Sequence, residues 1–195
     1  MNKKRFTGIM LFIAVLCCTN VYAQNFREKS IKTSLGMGTH MGKNTDGLGM
    51  VYSIGYEQEI WNKRFRINPN ISFGQYSSKV LPLGARDQFF NSTNLEFNLF
   101  FDLTKSEAFS LVLVGGGLVN YTSGMLGEGG DPENYPEDLH SEYVNDFHIA
   151  AIMGAGFRIN SVGKRSSLNI LPLNIHIDNQ GCLEFTPKIS VDIKL

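Results

Sequence analysis

Apolar and polar residues alternate one by one along most of this chain, the period of a strand with two unlike faces. In "SIKTSLGMGTH", Ile31, Leu35 and Met37 share a side opposite Lys32, Ser34, Gly36 and Gly38. "LGMVYSIGYEQEI" sets Leu48, Met50, Tyr52, Ile54, Tyr56 and Ile60 against Gly49, Ser53, Gly55, Glu57 and Glu59. "FRINPNISFGQY" opposes Phe65, Ile67, Ile71 and Phe73 to Arg66, Asn68, Asn70, Ser72 and Gly74. In "TNLEFNLFFDL", Leu95, Phe97, Leu99, Phe101 and Leu103 face away from Asn94, Glu96, Asn98 and Asp102. "FSLVLVGGGLVNY" is apolar on both faces. "YVNDFHIAAIMGAGFRIN" restores the pattern, with Phe147, Ile149, Met153, Phe157 and Ile159 opposite Asp146, His148, Gly154, Gly156, Arg158 and Asn160. A seventh strand lies within "SSLNILPLNIHI", its register blurred by Pro172, and the chain closes on the alternating "KISVDIKL".

These segments predict eight strands whose connections alternate in length. "WNKR", "TKSEA" and "SVGKR" are short, whereas "MGKNTDG", "SSKVLPLGARDQFF" and "TSGMLGEGGDPENYPEDLHSE" are longer. Short turns at one end and long loops at the other describe an all-β, eight-stranded antiparallel up-and-down transmembrane β-barrel. No helix-period stretch, internal repeat or second domain appears.

Alternation does not say which face is outside, because a soluble lipocalin-like binding barrel has the same period with its apolar side inward. Composition favours the inverted, membrane arrangement. The polar face is mostly Gly, Ser and Asn, punctuated by Glu57, Glu59, Arg66, Glu96, Asp102, Arg158 and Lys188, and only 18% of the chain is charged. Small residues with charges of both signs suit a narrow, self-filled lumen and form its expected polar network. Aromatics of the apolar face gather near the strand ends. Trp61, Phe65, Phe101, Phe109 and Phe157 sit toward the short turns, and Tyr121, Tyr143 and Phe147 toward the long loops, where Phe73 can join them. Two such girdles are what anchoring at both membrane interfaces requires. The cost of this reading is Pro69, Pro172 and Pro187, each of which removes a ladder donor.

The first residues read as a secretory signal peptide: Lys3, Lys4 and Arg5, a short apolar core, and Val21 and Ala23 at the cleavage positions. Cys17 and Cys18 lack the small preceding residues of a lipidated cysteine. Cleavage after Ala23 makes 1–23 the leader and 24–195 one barrel domain, and leaves Cys182 as the last cysteine, so no internal disulfide forms. It also removes three basic residues and no acidic one, giving 15 − 18 = −3. No basic stripe remains for nucleic acid, and no stretch approaches the roughly twenty apolar residues of a spanning helix.

With leader, eight strands, alternating connections and the terminal "KISVDIKL", the mature chain resembles small OmpA/OmpX-type outer-membrane barrels. That resemblance implies an outer-membrane location in a Gram-negative bacterium, contact with outer-membrane lipid and lipopolysaccharide, and a monomer without cofactor. It also implies a final strand read by the barrel-assembly machinery, although Leu195 stands where the family usually ends on an aromatic. The function it implies is structural or adhesive, exercised through the long loops, without catalysis.

Candidate chemistry is sparse. "NIHIDNQG" is similar to the segment that carries the catalytic residues of outer-membrane lipid A deacylases, with His176 and Asn179 matching, but Asp178 occupies the place of the nucleophilic serine. The acidic third loop carries Glu128, Asp131, Glu133, Glu137, Asp138 and Glu142, a set of oxygens suited to divalent cations but in no defined calcium-loop spacing. His40, His140, His148 and His176 are scattered, with no zinc spacing. The lumen charges are expected to pair as a plug, since unpaired burial is costly and eight strands leave little room for a pore.

Overall fold

The computed structural model describes residues 28–41, 46–61, 64–77, 89–104, 106, 108–128, 140–161, 165–178 and 183–195. They form β1 (Lys29–Met41), β2 (Asp46–Trp61), β3 (Phe65–Ser77), β4 (Phe89–Asp102), β5 (Phe109–Glu128), β6 (His140–Asn160), β7 (Ser166–Asp178), β8 (Leu183–Phe185) and β9 (Lys188–Lys194). Every neighbouring pair is antiparallel, and both β8 and β9 bridge β7 to β1, so the two are halves of one stave and the sheet closes with eight. No described helix is long and apolar enough to cross a membrane.

The pairings fix the barrel's shape. Followed once around, Lys29 leads through Gln58, Ile67, Leu99, Gly115, Met153, Ile175 and Phe185 back to Thr39. That stagger of ten residues over eight staves sets a strand tilt of about 40° and a radius of about 8 Å.

The fold is inside-out relative to a soluble barrel. Phe97 and Ile193 are each 56% exposed, while Glu96 is 1% and Asp192 0% exposed. The same parity runs through β3 and β4, where burial alternates residue by residue. The lipocalin-like arrangement is thereby excluded. β5, apolar on both faces, turns Val112, Val114 and Leu118 inward against Phe100, Ile152 and Leu171, a small dry patch in an otherwise polar interior.

The prolines are accommodated one by one. Pro69 lies within β3, paired with Phe97, and cannot donate to β2; the Asn68 side-chain amide bonds the Tyr56 carbonyl instead, at 3.0 Å. Pro187 sits between β8 and β9. Its carbonyl accepts from the Met37 N–H at 3.3 Å, and the Thr186 N–H reaches the Asn174 carbonyl at 2.8 Å, so the ladder holds across the break. The β6–β7 register shifts between Ala155 and Phe157, where a Cβ on Gly156 would lie 2.1 Å from the Ile170 carbonyl oxygen. That close approach requires glycine.

At the loop end the strands run further than alternation indicated. Phe89 and Phe90, expected in the second long connection, begin β4, and β5 and β6 continue through the expected third loop to pair Glu128 with His140. Glycines in "SGMLGE" break the apolar run there without breaking the ladder. The first connection spans only 42–45, because β1 and β2 pair up to Met41 and Asp46.

Candidate functional site: the barrel interior and the loop end

Inward-facing residues of β1, β2, β3, β4, β6 and β9 build one charged cluster at the short-turn end. Glu57 is its centre. The carboxylate bonds Lys32 and takes Arg66 Nη1 at 2.7 Å and Arg158 Nη1 at 3.2 Å on Oε1. Arg66 Nη2 reaches on to Asp102 at 2.6 Å. Asp192 meets Lys32 at 3.2 Å and Arg158 at 3.4 Å, and accepts from Ser167 at 2.8 Å and Asn169 at 2.6 Å. The Phe100 ring lies 4.1 Å from the Lys32 ammonium and 5.3 Å from the Arg66 guanidinium, cation–π distances.

One layer up, Glu96 accepts from Ser72 at 2.6 Å and Asn98 at 3.0 Å and pairs with Lys188 at 3.3 Å. Four cations (Lys32, Arg66, Arg158, Lys188) thus meet four anions (Glu57, Glu96, Asp102, Asp192), and every one is buried. Such a set can fill the lumen and resist charge; it offers no open position to a substrate.

Of the seven residues expected in the lumen network, Glu57, Arg66, Glu96, Asp102, Arg158 and Lys188 lie here, and Glu59 lies near the end of β2. It is half-buried beside the bulge between Glu59 and Trp61, its N–H bonded to the Glu28 carbonyl at 3.0 Å. Lys32 and Asp192 belong to the cluster as fully as the expected members. Their inward parity in β1 and β9 was the signal that points to them.

The loop half is built differently. His40, Tyr76 and Phe90 pack ring on ring, with Tyr76 and Phe90 stacked at 5.1 Å. The Tyr76 hydroxyl bonds Glu184, whose other oxygen meets His176 Nδ1 at 2.9 Å; Asn174 Nδ2 lies 3.1 Å from His176 Nε2. His148 Nε2 is 3.7 Å from Asp178. Three of the four histidines line one small chamber of about 10 Å3, room for about one water. No group of three or more His, Cys, Asp or Glu fit to hold a metal occurs among the described residues. His176, matched above to a deacylase histidine, is buried inside the barrel with both ring nitrogens engaged. Asn179 lies outside the described residues, as do 129–139 of the acidic loop; the backbones of Glu128 and Glu142 are paired in β5 and β6.

Phe65 stacks on Phe101 at 4.7 Å and Phe109 on Phe157 at 5.9 Å, all four near the short turns. Trp61 ends β2, paired with Phe65; its side chain is outside the described set. Tyr121 is exposed, its hydroxyl donating to Asn145 at 2.9 Å, and pairs with Phe147. Tyr143 stands four residues further along β6, about 10 Å higher at the axial rise this tilt implies.

No family model matches the chain, and no curated protein matches it. Solved structures do. Neisserial surface protein A is 11% identical with a TM-score of 0.57, covering 86% of this chain and 97% of its own. Ail, the attachment invasion locus protein of Yersinia pestis, is 14% identical with a TM-score of 0.52, covering 86% and 98%. Ail has also been solved in complex with the heparin analogue sucrose octasulfate. At these identities the likeness is one of fold, and this chain has the architecture of the small eight-stranded outer-membrane barrels.

Proposed function

We propose that the protein is a non-conducting outer-membrane barrel of a Gram-negative bacterium that holds its loop end out as an interaction surface. One observation carries this reading: the apolar flank faces outward on every stave while the ions are sealed within. Exposed apolar bands of that extent are stable only against hydrocarbon. Residues 1–23 act as the export signal, and "KISVDIKL" as the strand handed to the assembly machinery. Phe65, Phe101, Phe109, Phe157 and Trp61 anchor the inner interface and Tyr121, with Phe147, the outer one, with lipopolysaccharide around the rim. Tyr143 stands above that level. The acidic third loop takes up divalent cations there through its clustered carboxylates. The chain works as a monomer, without cofactor, and its interior has a filling role.

Fractionation with an unboiled gel tests this. The protein is expected in detergent-extracted outer membranes, migrating differently before and after boiling, and vesicles containing it should not admit arabinose. Recovery without detergent sinks the membrane reading; sugar uptake sinks the sealed lumen.

A further inference from the structure

The ring of aromatics at the short-turn end is incomplete. Phe65, Phe101, Phe109 and Phe157 come from β3 to β6, and β2 ends on Trp61, whereas β7, β9 and β1 hold no Phe, Tyr or Trp. The stagger shows what stands in their place. Rungs climb toward the loop end from β1 round to β9, and the rung of Phe109 runs through Ile159, Leu168 and Val191. The level of Phe109 is therefore met lower on those staves, by Ser161, by Arg165 with Ser166, and by Lys194.

The gap holds a groove of about 190 Å3 between β6, β7 and β9, on the outer face where Ile159 and Val191 are exposed. Ser161 and Ser166 line its foot, and Ile159, Leu168 and Val191 line its upper part. A polar end below an apolar one is the order that a membrane interface presents. Two basic residues flank the foot. The Arg165 carbonyl accepts from the Lys194 N–H at 2.9 Å, which sets them side by side. Lys194 Nζ is paired with Glu28 at 2.5 Å, so its charge is answered within the protein. Arg165 is exposed, and among the described residues no carboxylate pairs with it.

We infer that this groove seats one anionic phospholipid of the inner leaflet. Its phosphate lies on the Arg165 guanidinium and the two serine hydroxyls, and one acyl chain runs up along Ile159, Leu168 and Val191. This rests on the reading that the apolar flank faces lipid with the short turns on the periplasmic side. A guanidinium takes phosphate through parallel N–H bonds, and one without a carboxylate partner selects a lipid of net negative charge. A free phosphate would use the foot of the groove and leave its apolar walls unused. The lipid thus completes, on the β7 and β9 side, the anchoring that phenylalanines supply on the other.

Native mass spectrometry of the full refolded chain in detergent tests this, with titration by phosphatidylglycerol and by phosphatidylcholine of the same acyl chains. One phosphatidylglycerol should be retained per barrel, at least about tenfold more tightly than phosphatidylcholine. Arg165→Gln should erase that preference. Arg64→Gln, which removes an exposed arginine from the connection between β2 and β3, should leave it intact. Ser166→Phe extends the aromatic ring into the groove and should abolish the tight site. Equal retention of the two lipids, equal losses from Arg165→Gln and Arg64→Gln, or full retention by Ser166→Phe overturns the proposal. Displacement of the lipid by an equal concentration of glycerol phosphate overturns it too, since the site would then read phosphate alone. Unboiled gel mobility reports whether each variant folds, and the comparison of the two lipids on the parent chain needs no variant. The underlying reading fails separately: a chain that refolds without detergent or lipid sinks the membrane barrel, while one that inserts and binds no lipid selectively sinks only the site.

Discussion

At the short-turn end of the interior, Glu57 gathers Lys32, Arg66 and Arg158 from three other strands; at the loop end, Tyr76 and Phe90 stack on each other with His40 set against both at an angle, and Tyr76 closes on Glu184. Both halves fill the lumen of the same barrel, whose wall is about 8 Å in radius, and both hang from the same alternating walls. The lower half is matched by charge. A slip of one residue in any strand that carries one of these ions would turn it outward and leave its partner bare, so the cluster penalises wrong registers as well as empty space. The upper half is matched by volume. Gly38, Gly47, Gly49, Gly74 and Gly124 each leave room where a Cβ would press on Tyr76 or Phe90. Error there costs overlap rather than unpaired charge.

The largest effect is expected where that difference is greatest. Glu57→Gln keeps the side chain's shape but leaves three buried cations to share Asp102 and Asp192. Stability should fall by about 3–5 kcal/mol, the range for a broken buried ion set. Urea titration in vesicles, followed by the fluorescence of the single Trp61, measures it. A loss under about 1 kcal/mol would mean the lower cluster is hydrated and not charge-locked.

A second test separates the ions from the space they fill. Lys188→Met strands the Glu96 carboxylate beside Ser72 and Asn98 and should cost about 2–3 kcal/mol. Adding Glu96→Gln removes the stranded charge, and the double variant should return to within about 1 kcal/mol of the parent. If single and double variants are equally weak, volume and not charge governs this layer too.

How far the sequence foretold this division depends on what alternation encodes. It reports face, so Glu57, Arg66, Glu96, Asp102, Arg158 and Lys188 were legible as interior residues and the membrane barrel as their consequence. Lys32 and Asp192 share that parity and were equally readable, Asp192 from the same inward row of β9 as Lys188. Glu59 shows the limit. Parity turns it inward, but it lies at the rim beside a bulge, and bulges are placed by partner strands that no single segment reveals. Height was the least legible quantity. Nothing local says that Phe90 enters a strand, or that Glu184, a few residues before "KISVDIKL", meets Tyr76 of β3 across the lumen, since both depend on a stagger that only the closed ring defines.

In the upper half, Gly74→Ala tests matching by volume. Its Cβ would sit 2.5 Å from the Tyr76 ring, which stacking on Phe90 and the bond to Glu184 keep from retreating. A cost of about 1–3 kcal/mol is expected. Gly115→Ala is the control, since nothing lies within 4 Å of a Cβ there, and it should change little. Truncating Tyr76 to Leu should abolish the penalty of Gly74→Ala in a double-mutant cycle; a penalty that persists points to the backbone.

The smallest effect comes from Tyr76→Phe, which removes one oxygen and leaves the stack intact. Glu184 loses a donor but keeps His176 at 2.9 Å, so its charge is not stranded as that of Glu96 is in Lys188→Met. The expected loss is about 0.5–1.5 kcal/mol, the net value of one hydrogen bond. A loss as large as that of Glu57→Gln would mean that Tyr76 holds the loop half by charge after all, through the Glu184 carboxylate. The two ends of the lumen would then obey one rule, with the aromatic rings only spacing a second ion cluster. Thermal midpoints of Tyr76→Phe and Glu184→Gln measured side by side decide this. If volume governs, both variants lose no more than about one hydrogen bond; if charge governs, both fall steeply.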